Sequence, residues 1–315
     1  MNKLLIVCGP TATGKTDLGI YLAKKFDGEI VSADSRHVYK GLDIITGKDL
    51  PKSDIPIWLV DIVTPDYPFN VGEYAVLAHK IINNIWSRKK LPVIVGGTGF
   101  YIKSITDKIE TVIIPPNKLL RRDIEKYTKE KLQQELIKTD YQRWKKMNVS
   151  DRENPRRLIR AVEIALYYQN NKNNLTRLLN PLPIDSKLMI GLTNPLQFLF
   201  KKIDERVENR IKKGAVKEVK ELLGKNYSRF LPALSSTGFK PLSEFIQGRE
   251  SLADAVKSWK FQEHEYARRQ MTWFRKDERI RWFDISEKRY INKIEDKVRE
   301  WYTSGTHAFQ NRNFL

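Results

Sequence analysis

The octapeptide GPTATGKT, from Gly9 to Thr16, carries the clearest chemical signal in the sequence. It fits the G-x-x-x-x-G-K-[ST] pattern of a phosphate-binding loop, or P-loop. In such a loop, backbone N–H groups surround the phosphates, Lys15 contacts them as a cation, and the Thr16 hydroxyl is offered to Mg²⁺. Most of these loops serve phosphoryl transfer, but the loop alone does not reveal which bond breaks. The residues predicted to form the phosphate site are Gly9, Thr11, Ala12, Thr13, Gly14, Lys15 and Thr16.

Two other segments contain residues that could act beside this loop. Asp34 ends the apolar run of GEIVSADS, and its carboxylate could be a metal ligand, a general base or the cap of a following helix. In GGTGFY, the glycines before Thr98 let the backbone and a hydroxyl approach an anion. A tight turn from strand to helix explains the same residues, so both alternatives stay open here.

Short apolar runs predict the elements that position these residues. Leu4 to Cys8 has the length of a buried strand, and Leu18, Leu22 and Phe26 then recur at helical spacing. The runs GEIVSADS, PIWLVDIV, LPVIVGGTG and KLMIGLT predict four more strands, with helical stretches between them. In the helical stretch before LPVIVGGTG, Leu77, Ile81 and Ile85 recur every four residues. This alternation predicts an α/β fold with a parallel, doubly wound sheet flanked by helices. Ligands gather at the carboxyl ends of such strands, where the loop and both polar segments fall.

The strand signals stop near Pro115, and the sequence becomes charged and helical in propensity. We therefore predict a small helical insertion domain over residues 115–181, between two parts of a core that spans 1–114 and 182–315. Asn171 to Pro183 is polar, ends with two prolines and is interpreted as a linker. The C-terminal third is predicted to be mainly helical.

The chain of 315 residues is strongly basic. It has 57 Lys and Arg against 38 Asp and Glu, a formal net charge of +19. Such an excess repels itself unless an anion offsets it, so a polyanionic partner is implied. The many arginines of the second half favour phosphate contact. A lysine-rich proteome would raise the charge without any partner, and that alternative stays open.

The single cysteine and the N-terminal sequence limit the class of protein. Because Cys8 is the only cysteine, disulfides within the chain and zinc sites built on cysteines are excluded. The polar loop interrupts the first apolar run, and no segment reaches the length of a membrane span. We therefore expect a cytoplasmic protein without membrane contact.

Six segments, in order along the chain, resemble the tRNA dimethylallyltransferase family, also called tRNA isopentenyltransferase. They are GPTATGKT, DSRHVYKGLDI, GGTGFYIKS, NPRRLIRAVEI, DERVENRIKKGAVKEV and RRQMTWFRK, and together they reach from near residue 3 to residue 276. The resemblance implies a P-loop NTPase-like core. It also implies transfer of a dimethylallyl group from its diphosphate to the exocyclic amine of the adenosine just 3′ of the anticodon. The loop would then hold the diphosphate of a leaving group, and no phosphoryl group would move.

The resemblance implies roles for three residues of this sequence. Asp34 takes the proton from the attacking amine, Thr98 hydrogen-bonds the oxygen between carbon and phosphorus, and Arg206 clamps the diphosphate. Without the resemblance, a solvated charge on an amphipathic helix is the favoured reading of Arg206. The developing negative charge on the leaving group suits Lys15, nearby arginines and Mg²⁺.

The implied partners are dimethylallyl diphosphate and the anticodon stem-loop of tRNA, acted on by a monomer. A stem-loop presents many phosphates, and a base in its loop can be turned out into a pocket. Any one of the arginines could instead form an internal ion pair. The residues predicted to bind tRNA are Ser35, Arg36, His37, Arg157, Arg160, Arg268, Arg269 and Arg275.

This sequence departs from the family pattern at three places. His37 replaces the usual Gln of D-S-R-Q, which puts a base-edge contact in doubt, although imidazole also donates and accepts hydrogen bonds. Ile57 and Trp58 replace a common His-His pair, and Ile45 replaces a Gly. Local shape is therefore expected to differ there.

Three rival functions remain at this stage. A P-loop kinase of a nucleotide, polynucleotide or small alcohol would share the loop, the Mg²⁺ and the parallel sheet. Prenyl transfer to free adenine nucleotides would share the chemistry, but the positive charge and the helical insertion favour tRNA. A nucleic-acid-binding module could hold a nucleotide as a structural or switching ligand without catalysis.

Overall fold

A computed structural model describes residues 1–49, 53–109, 111–112, 114–171, 181–225, 227 and 231–304. Over these residues the chain forms one six-stranded sheet in which every strand pair is parallel. The strand order is β3-β2-β4-β1-β5-β6. The strands are β1 (Lys3–Cys8), β2 (Gly28–Ser32), β3 (Ile57–Trp58), β4 (Leu91–Gly96), β5 (Ser186–Thr193) and β6 (Ile280–Asp284).

Helices connect and cover these strands. Those before the predicted insertion are α1 (Lys15–Lys25), α2 (Asp43–Thr46), α3 (Val71–Ser87) and α4 (Gly99–Thr106). Those within it are α5 (Lys118–Ile124), α6 (Lys129–Thr139), α7 (Tyr141–Lys146), α8 (Val149–Arg152) and α9 (Pro155–Asn170). Those after it are α10 (Leu196–Lys212), α11 (Ala215–Gly224), α12 (Phe239–Ile246), α13 (Leu252–Phe274) and α14 (Tyr290–Thr303).

Strand β1 is buried along its whole length and separates two apolar layers. Because side chains alternate across a strand, Leu4 and Ile6 join the core under α3, α4 and α11 to α13, while Leu5 and Val7 join the core under α1 and α14. Both faces of the sheet are therefore covered, as parallel strands require. The predicted P-loop NTPase-like α/β fold, a parallel sheet flanked by helices, is confirmed.

Helices α5 to α9 pack around an apolar cluster of their own. Leu132, Leu136 and Leu158 are buried at its centre. Helix α9 begins sharply because Pro155 occupies its first turn and the Asn154 side chain accepts a hydrogen bond from the Arg157 N–H. An inserted helical unit needs a core of its own to be stable, and this cluster supplies one. The boundaries 115–181 stay a prediction.

Three details differ from the sequence predictions. Strand β6 lies in the part predicted to be mainly helical. The run PIWLVDIV forms only the two residues of β3, because Leu59 and Asp61 adopt positive φ angles of 63° and 54° that interrupt an extended strand. Helix α3 is present, but Leu77 is exposed and Tyr74, Ala78 and Ile82 supply the buried face. Most of the predicted linker Asn171–Pro183 lies outside the described residues.

No helix in the described ranges is both long enough and apolar enough to cross a membrane.

Candidate active site

The loop between β1 and α1 curls around an open space at the carboxyl end of β1. Gly9 has a φ of 137°, and a Cβ at this position would collide with the Leu192 carbonyl oxygen of the neighbouring strand β5. Ala12 and Gly14 also have positive φ angles, 64° and 76°, which turn the chain back on itself before α1 begins. Because of this curl, the N-terminus of α1 faces the space inside the loop, which is the arrangement that binds anions.

The Pro10 carbonyl oxygen accepts two hydrogen bonds from side chains of the same loop. The Thr13 hydroxyl donates to it at 2.9 Å, and Lys15 Nζ donates to it at 2.6 Å. Removal from water lowers the pKa of Lys15 to about 8, although the charge of Asp34 opposes this shift. An anionic ligand would supply the counter-charge that Lys15 lacks.

A cavity of about 300 Å³, here called the loop cavity, lies against the phosphate-binding loop. Gly9 and Thr13 do not line it, because Gly9 contacts β5 and Thr13 is buried beneath the loop. Facing the loop residues are Asp34, His37 and Arg206. The predicted phosphate-site residues that line the loop cavity are Thr11, Ala12, Gly14, Lys15 and Thr16.

Arg206 projects from α10 to the loop. Its Nη1 donates to the Thr11 hydroxyl at 3.0 Å, and no carboxylate within the described ranges forms an ion pair with it. Burial, and then the neighbouring charge of Arg210, lower the pKa of Arg206. A solvated surface charge is therefore the wrong reading of this residue, which is a half-buried cation facing a cavity.

Asp34 follows β2 and does not cap a helix, since the next helix, α2, begins only at Asp43. Its Oδ1 accepts a hydrogen bond from the Arg36 N–H at 2.8 Å, and its Oδ2 lies 3.9 Å from His37 Nε2. Burial alone would raise the pKa of the Asp34 carboxyl, but His37, Arg36 and Lys15 together bring it below its ordinary value. Asp34 is thus an ionised carboxylate beside the phosphate loop.

Thr98 occupies the N-cap position of α4 but forms no capping hydrogen bond with its side chain. Its hydroxyl instead accepts the Ser35 N–H at 3.0 Å, which ties the end of β4 to the turn that contains Asp34. The turn interpretation of GGTGFY is therefore correct for the backbone. The Thr98 hydroxyl also donates to Ser35 Oγ at 3.4 Å, and Thr98 and Asp34 line the same cavity.

A second cavity of about 400 Å³ joins the first. Five residues line both and so lie where the two spaces meet: Thr11, Lys15, Asp34, Thr46 and Gly97. We call the second space the aromatic cavity, because its far wall is built by the rings of Phe100, Tyr266 and Trp273, together with Arg269.

Gln270 is a site residue that the sequence interpretation did not single out. From α13 its Oε1 accepts the Thr11 N–H at 2.8 Å, and its Nε2 donates to the Gly97 carbonyl at 2.9 Å. One buried amide therefore fixes the phosphate loop relative to the end of β4. The signal was available, since Gln270 lies in RRQMTWFRK, one of the segments that carry the family resemblance.

Arg210 and Glu263 form a second unpredicted feature, a buried ion pair between α10 and α13. Arg210 Nη1 lies 3.0 Å from Glu263 Oε1, and both side chains are less than a tenth exposed. The Thr237 hydroxyl donates to the same carboxylate oxygen at 2.8 Å. Both residues line the aromatic cavity, and Arg210 lies one helical turn from Arg206.

Two predicted tRNA-binding arginines from α9 form internal contacts. Arg160 pairs with Glu163 and donates to the Thr111 carbonyl at 2.9 Å. Arg157 pairs with Asp151 at the surface. Of the two alternatives for these arginines, phosphate contact or an internal ion pair, Arg160 shows the internal ion pair.

The three predicted arginines at the end of α13 differ from one another. Arg268 pairs with Glu265 and lies over the Phe200 ring, whereas Arg269 and Arg275 have no carboxylate partner within the described ranges.

The residues predicted for tRNA contact next to Asp34 lie around the meeting point of the cavities. Arg36 donates to the Pro232 carbonyl, Ser35 binds Thr98, and His37 lines the loop cavity.

The described residues include no group of three or more His, Cys, Asp or Glu side chains arranged to hold a metal ion. The Thr16 hydroxyl and the Asp34 carboxylate nevertheless line one cavity. Oxygen donors of this kind suit Mg²⁺ when a substrate's phosphate oxygens complete its coordination. The residues present therefore fit an ion that is bound together with a phosphorylated ligand.

Comparison with known proteins agrees with the sequence resemblance. A family model described as IPP transferase matches residues 37–277. The tRNA dimethylallyltransferase of Carboxydothermus hydrogenoformans is 37% identical over 311 residues, which cover 94% of this chain and 96% of that protein. The tRNA dimethylallyltransferase of Anoxybacillus flavithermus is 35% identical over 315 residues, 98% of this chain and 99% of that protein.

Solved structures agree as well. The tRNA isopentenylpyrophosphate transferase of Bacillus halodurans superposes with a TM-score of 0.68 at 30% identity, and the match covers 95% of this chain and 96% of that one. A eukaryotic dimethylallyltransferase acting on tRNA gives 0.75 at 23% identity, over 98% of this chain and 77% of that one, which supports the fold alone. By its sequence relatives and by the family model, this chain belongs to the IPP transferase family.

Proposed function

We propose that this protein transfers the dimethylallyl group of dimethylallyl diphosphate to the exocyclic amine of the adenosine just 3′ of the anticodon in tRNA, and releases diphosphate. The observation that carries the proposal is the ionised carboxylate of Asp34 at the junction of a phosphate-loop cavity and an aromatic cavity. One cavity suits a diphosphate and the other a base. The names of the relatives support the same reaction.

The phosphate loop, in this proposal, stabilises a leaving group. As the carbon–oxygen bond of the donor breaks, negative charge accumulates on the diphosphate. Lys15 and Arg206 bring two cations to the loop cavity, and the backbone N–H groups at the start of α1 supply further donors. Neither cation has a carboxylate partner within the described ranges, so both charges are available to the anion.

Asp34 accepts the proton that the attacking nitrogen loses as the new carbon–nitrogen bond forms. A carboxylate is a weak base, but the amine becomes acidic while it bonds to the allylic carbon, so a positioned Asp suffices. The lowered pKa of Asp34 keeps the carboxylate ionised at neutral pH. Thr98, tied to Ser35 beside it, is proposed to donate to the oxygen between carbon and phosphorus.

Thr16 would hold Mg²⁺ together with the diphosphate oxygens. When bound, the ion would neutralise part of the charge of the leaving group.

The tRNA is proposed to bind across the opening of the aromatic cavity. Arg269 and Arg275, which lack carboxylate partners in the described part of the chain, are the proposed phosphate contacts there, and Ser35, Arg36 and His37 lie where the target base would enter. The helical unit of residues 115–181 is proposed to contact the stem. Because one chain supplies every residue of the site, we propose a monomer, and a tRNA acceptor implies action in the cytoplasm.

A transfer assay tests the proposal. Purified protein is incubated with labelled dimethylallyl diphosphate, Mg²⁺ and unmodified tRNA, and nuclease digestion then locates the label. We expect label on the adenosine next to the anticodon, and a loss of about 10²- to 10⁴-fold in Asp34→Asn with unchanged tRNA affinity. Asp66→Asn, at an exposed position, is the matched control.

Parallel reactions separate the rival functions. Consumption of ATP with no transfer from dimethylallyl diphosphate would identify a kinase, and transfer only to free AMP, ADP or ATP would identify a nucleotide prenyltransferase. Tight tRNA binding without any transfer would identify a binding module.

A further inference from the structure

A third cavity, of about 470 Å³, lies next to the aromatic cavity. Gly99 and Trp273 line both spaces, so the indole of Trp273 stands between them. We call the third space the outer cavity. Its remaining walls come from α4, from Met189 of β5, from Phe274 and from the segment Lys276–Arg279 that follows α13. None of the roles proposed above uses it.

Trp273 is held in place although much of it is exposed. Its ring packs directly on the backbone of Gly99, where a Cβ would collide with it. It also meets Phe100 edge to face, with ring centroids 6.3 Å apart at 78°. The two rings remain 44% and 42% exposed, an unusual arrangement for large apolar side chains at the opening of a site.

The charges of the outer cavity fall into two groups. Arg279 binds Asp107 at 2.7 Å and Asp277 at 2.6 Å, and one guanidinium with two carboxylates leaves a single net negative charge in this group. Lys103, Lys276 and Glu278 form the second group, all three are exposed, and neither lysine has an ion-pair partner within the described ranges. The outer cavity therefore combines an exposed aromatic face with two available ammonium groups, and this is the chemistry that binds a nucleotide by base stacking and phosphate contact.

We propose that the outer cavity binds the nucleotide adjacent to the target adenosine. Its base stacks on one side of Trp273 while the target adenine occupies the aromatic cavity on the other side, and Lys103 and Lys276 approach its phosphate. This inference rests on the proposed function. Turning a base out of a loop removes its stacking on the neighbouring base. The indole replaces the lost partner and keeps the two bases apart.

A coupling experiment between protein and RNA tests the inference. Anticodon stem-loops are prepared intact, or with an abasic site at the 5′ or the 3′ neighbour of the target adenosine, and their Kd values are measured for wild type and Trp273→Leu. We expect Trp273→Leu to weaken binding of the intact RNA by about tenfold or more, as loss of one stacked base does. With one of the two abasic RNAs, the same substitution should change Kd by less than about twofold, because the stacking partner is already gone.

Two further variants keep the result interpretable. Trp273→Phe retains a smaller ring and should show a weaker version of the same coupling, even if Trp273→Leu folds poorly. Phe261→Leu, an exposed aromatic position on the same helix, should leave every Kd unchanged. Equal losses with intact RNA and with both abasic RNAs would overturn the inference.

Failure of this inference can be told from failure of the proposed function. Wild-type protein is first assayed for transfer to the intact stem-loop. If no transfer occurs, the proposed function is wrong, and the stacking inference that rests on it is wrong as well. Transfer without coupling overturns the stacking inference alone.

Discussion

Lys15 and Asp34 both have lowered pKa values, for different physical reasons. Both groups lie where the loop cavity and the aromatic cavity meet. Loss of water contact weakens the hold of Lys15 on its proton, while the positive neighbours of Asp34 keep that carboxylate ionised. The free site therefore gains from binding an anion at Lys15 and retains a base at Asp34.

This arrangement predicts how diphosphate affinity depends on pH. The anion prefers protonated Lys15, and the free protein loses that proton as pH rises through about 8, so affinity should fall above pH 8, by up to tenfold per pH unit. Calorimetric titration with inorganic diphosphate between pH 7 and pH 9.5 measures this. Lys15→Arg is the control. Its side chain stays charged over this range, so any pH dependence that remains in this variant comes from titration of the diphosphate itself. The same pH dependence in both proteins would contradict the assignment.

Gln270 leads to a second prediction at the level of single residues. Gln270→Glu keeps the size of the side chain but loses the donor to Gly97, and it adds negative charge beside the phosphate loop. We expect the KM for dimethylallyl diphosphate to rise about tenfold or more, by the cost of an unmade buried hydrogen bond, with a smaller change in Kd for tRNA. Steady-state kinetics and RNA binding provide the two measurements. Gln262→Glu, on the same helix, should change neither.

At the scale of elements, α10 and α13 supply the side of the site that faces the phosphate loop. Arg206 reaches the loop from α10 and Gln270 reaches it from α13, while Trp273 of α13 lines the aromatic cavity. The buried pair of Arg210 and Glu263 links these helices and fixes their register. A buried pair of this kind adds little over apolar packing, but it is costly to break on one side only.

Glu263→Gln therefore should lower the free energy of unfolding by about 3 to 5 kcal/mol, because Arg210 would stay buried without its partner. Glu208→Gln is a matched control, since Glu208 and Lys260 form an exposed pair between the same two helices. Its loss should cost about 0 to 1 kcal/mol. Urea denaturation of both variants makes the comparison, and equal losses would mean that the buried pair has no special cost.

Sequence patterns predict the fold correctly where the conformation depends on neighbouring residues alone. The spacing of Gly9, Gly14 and Lys15 predicts the loop and its flanking strand and helix, because the glycine conformations and the helix N-terminus are local properties. Strand β6 was missed because its segment, IRWFD, carries an Arg and an Asp and lies at an edge of the sheet. Pairing with β5 decides its conformation, and that pairing is not visible in a short window of sequence.

The same limit applies to the site. Asp34 and Thr98 were identified because each follows a predicted strand. The contacts of Gln270 with the loop and of Arg210 with Glu263 join residues far apart in the chain, so no spacing rule indicates them. The position of Trp273 between two cavities likewise depends on how α13 packs against Gly99.

At the scale of the whole molecule, the net charge of +19 includes both cations that are paired with carboxylates and cations that are not. Arg160 and Arg279 are bound to carboxylates of the chain itself, whereas Lys103, Arg269, Arg275 and Lys276 have no such partner within the described ranges. In the proposed binding of RNA, counter-ion release would therefore come from the cations that have no carboxylate partner.

The salt dependence of RNA binding tests this division. Arg275→Ala should reduce the slope of log Kd against log salt concentration by about one, because it removes one phosphate contact. Arg160→Ala should leave the slope unchanged, since the charge of Arg160 is used by Glu163. Filter binding at several KCl concentrations gives both slopes, measured below the melting temperature of each variant. A reduced slope in Arg160→Ala would indicate that α9 contacts the RNA backbone directly.

The position of Cys8 has a practical consequence for following these events in solution. This cysteine is the only one in the chain, it ends β1 beneath the phosphate loop, and burial raises the pKa of its thiol to about 12. Thiol reagents attack the thiolate form, so the native fold protects Cys8 from them. A cysteine introduced at an exposed position such as Asp66 could thus carry a fluorescent probe at a single site without removal of the natural residue.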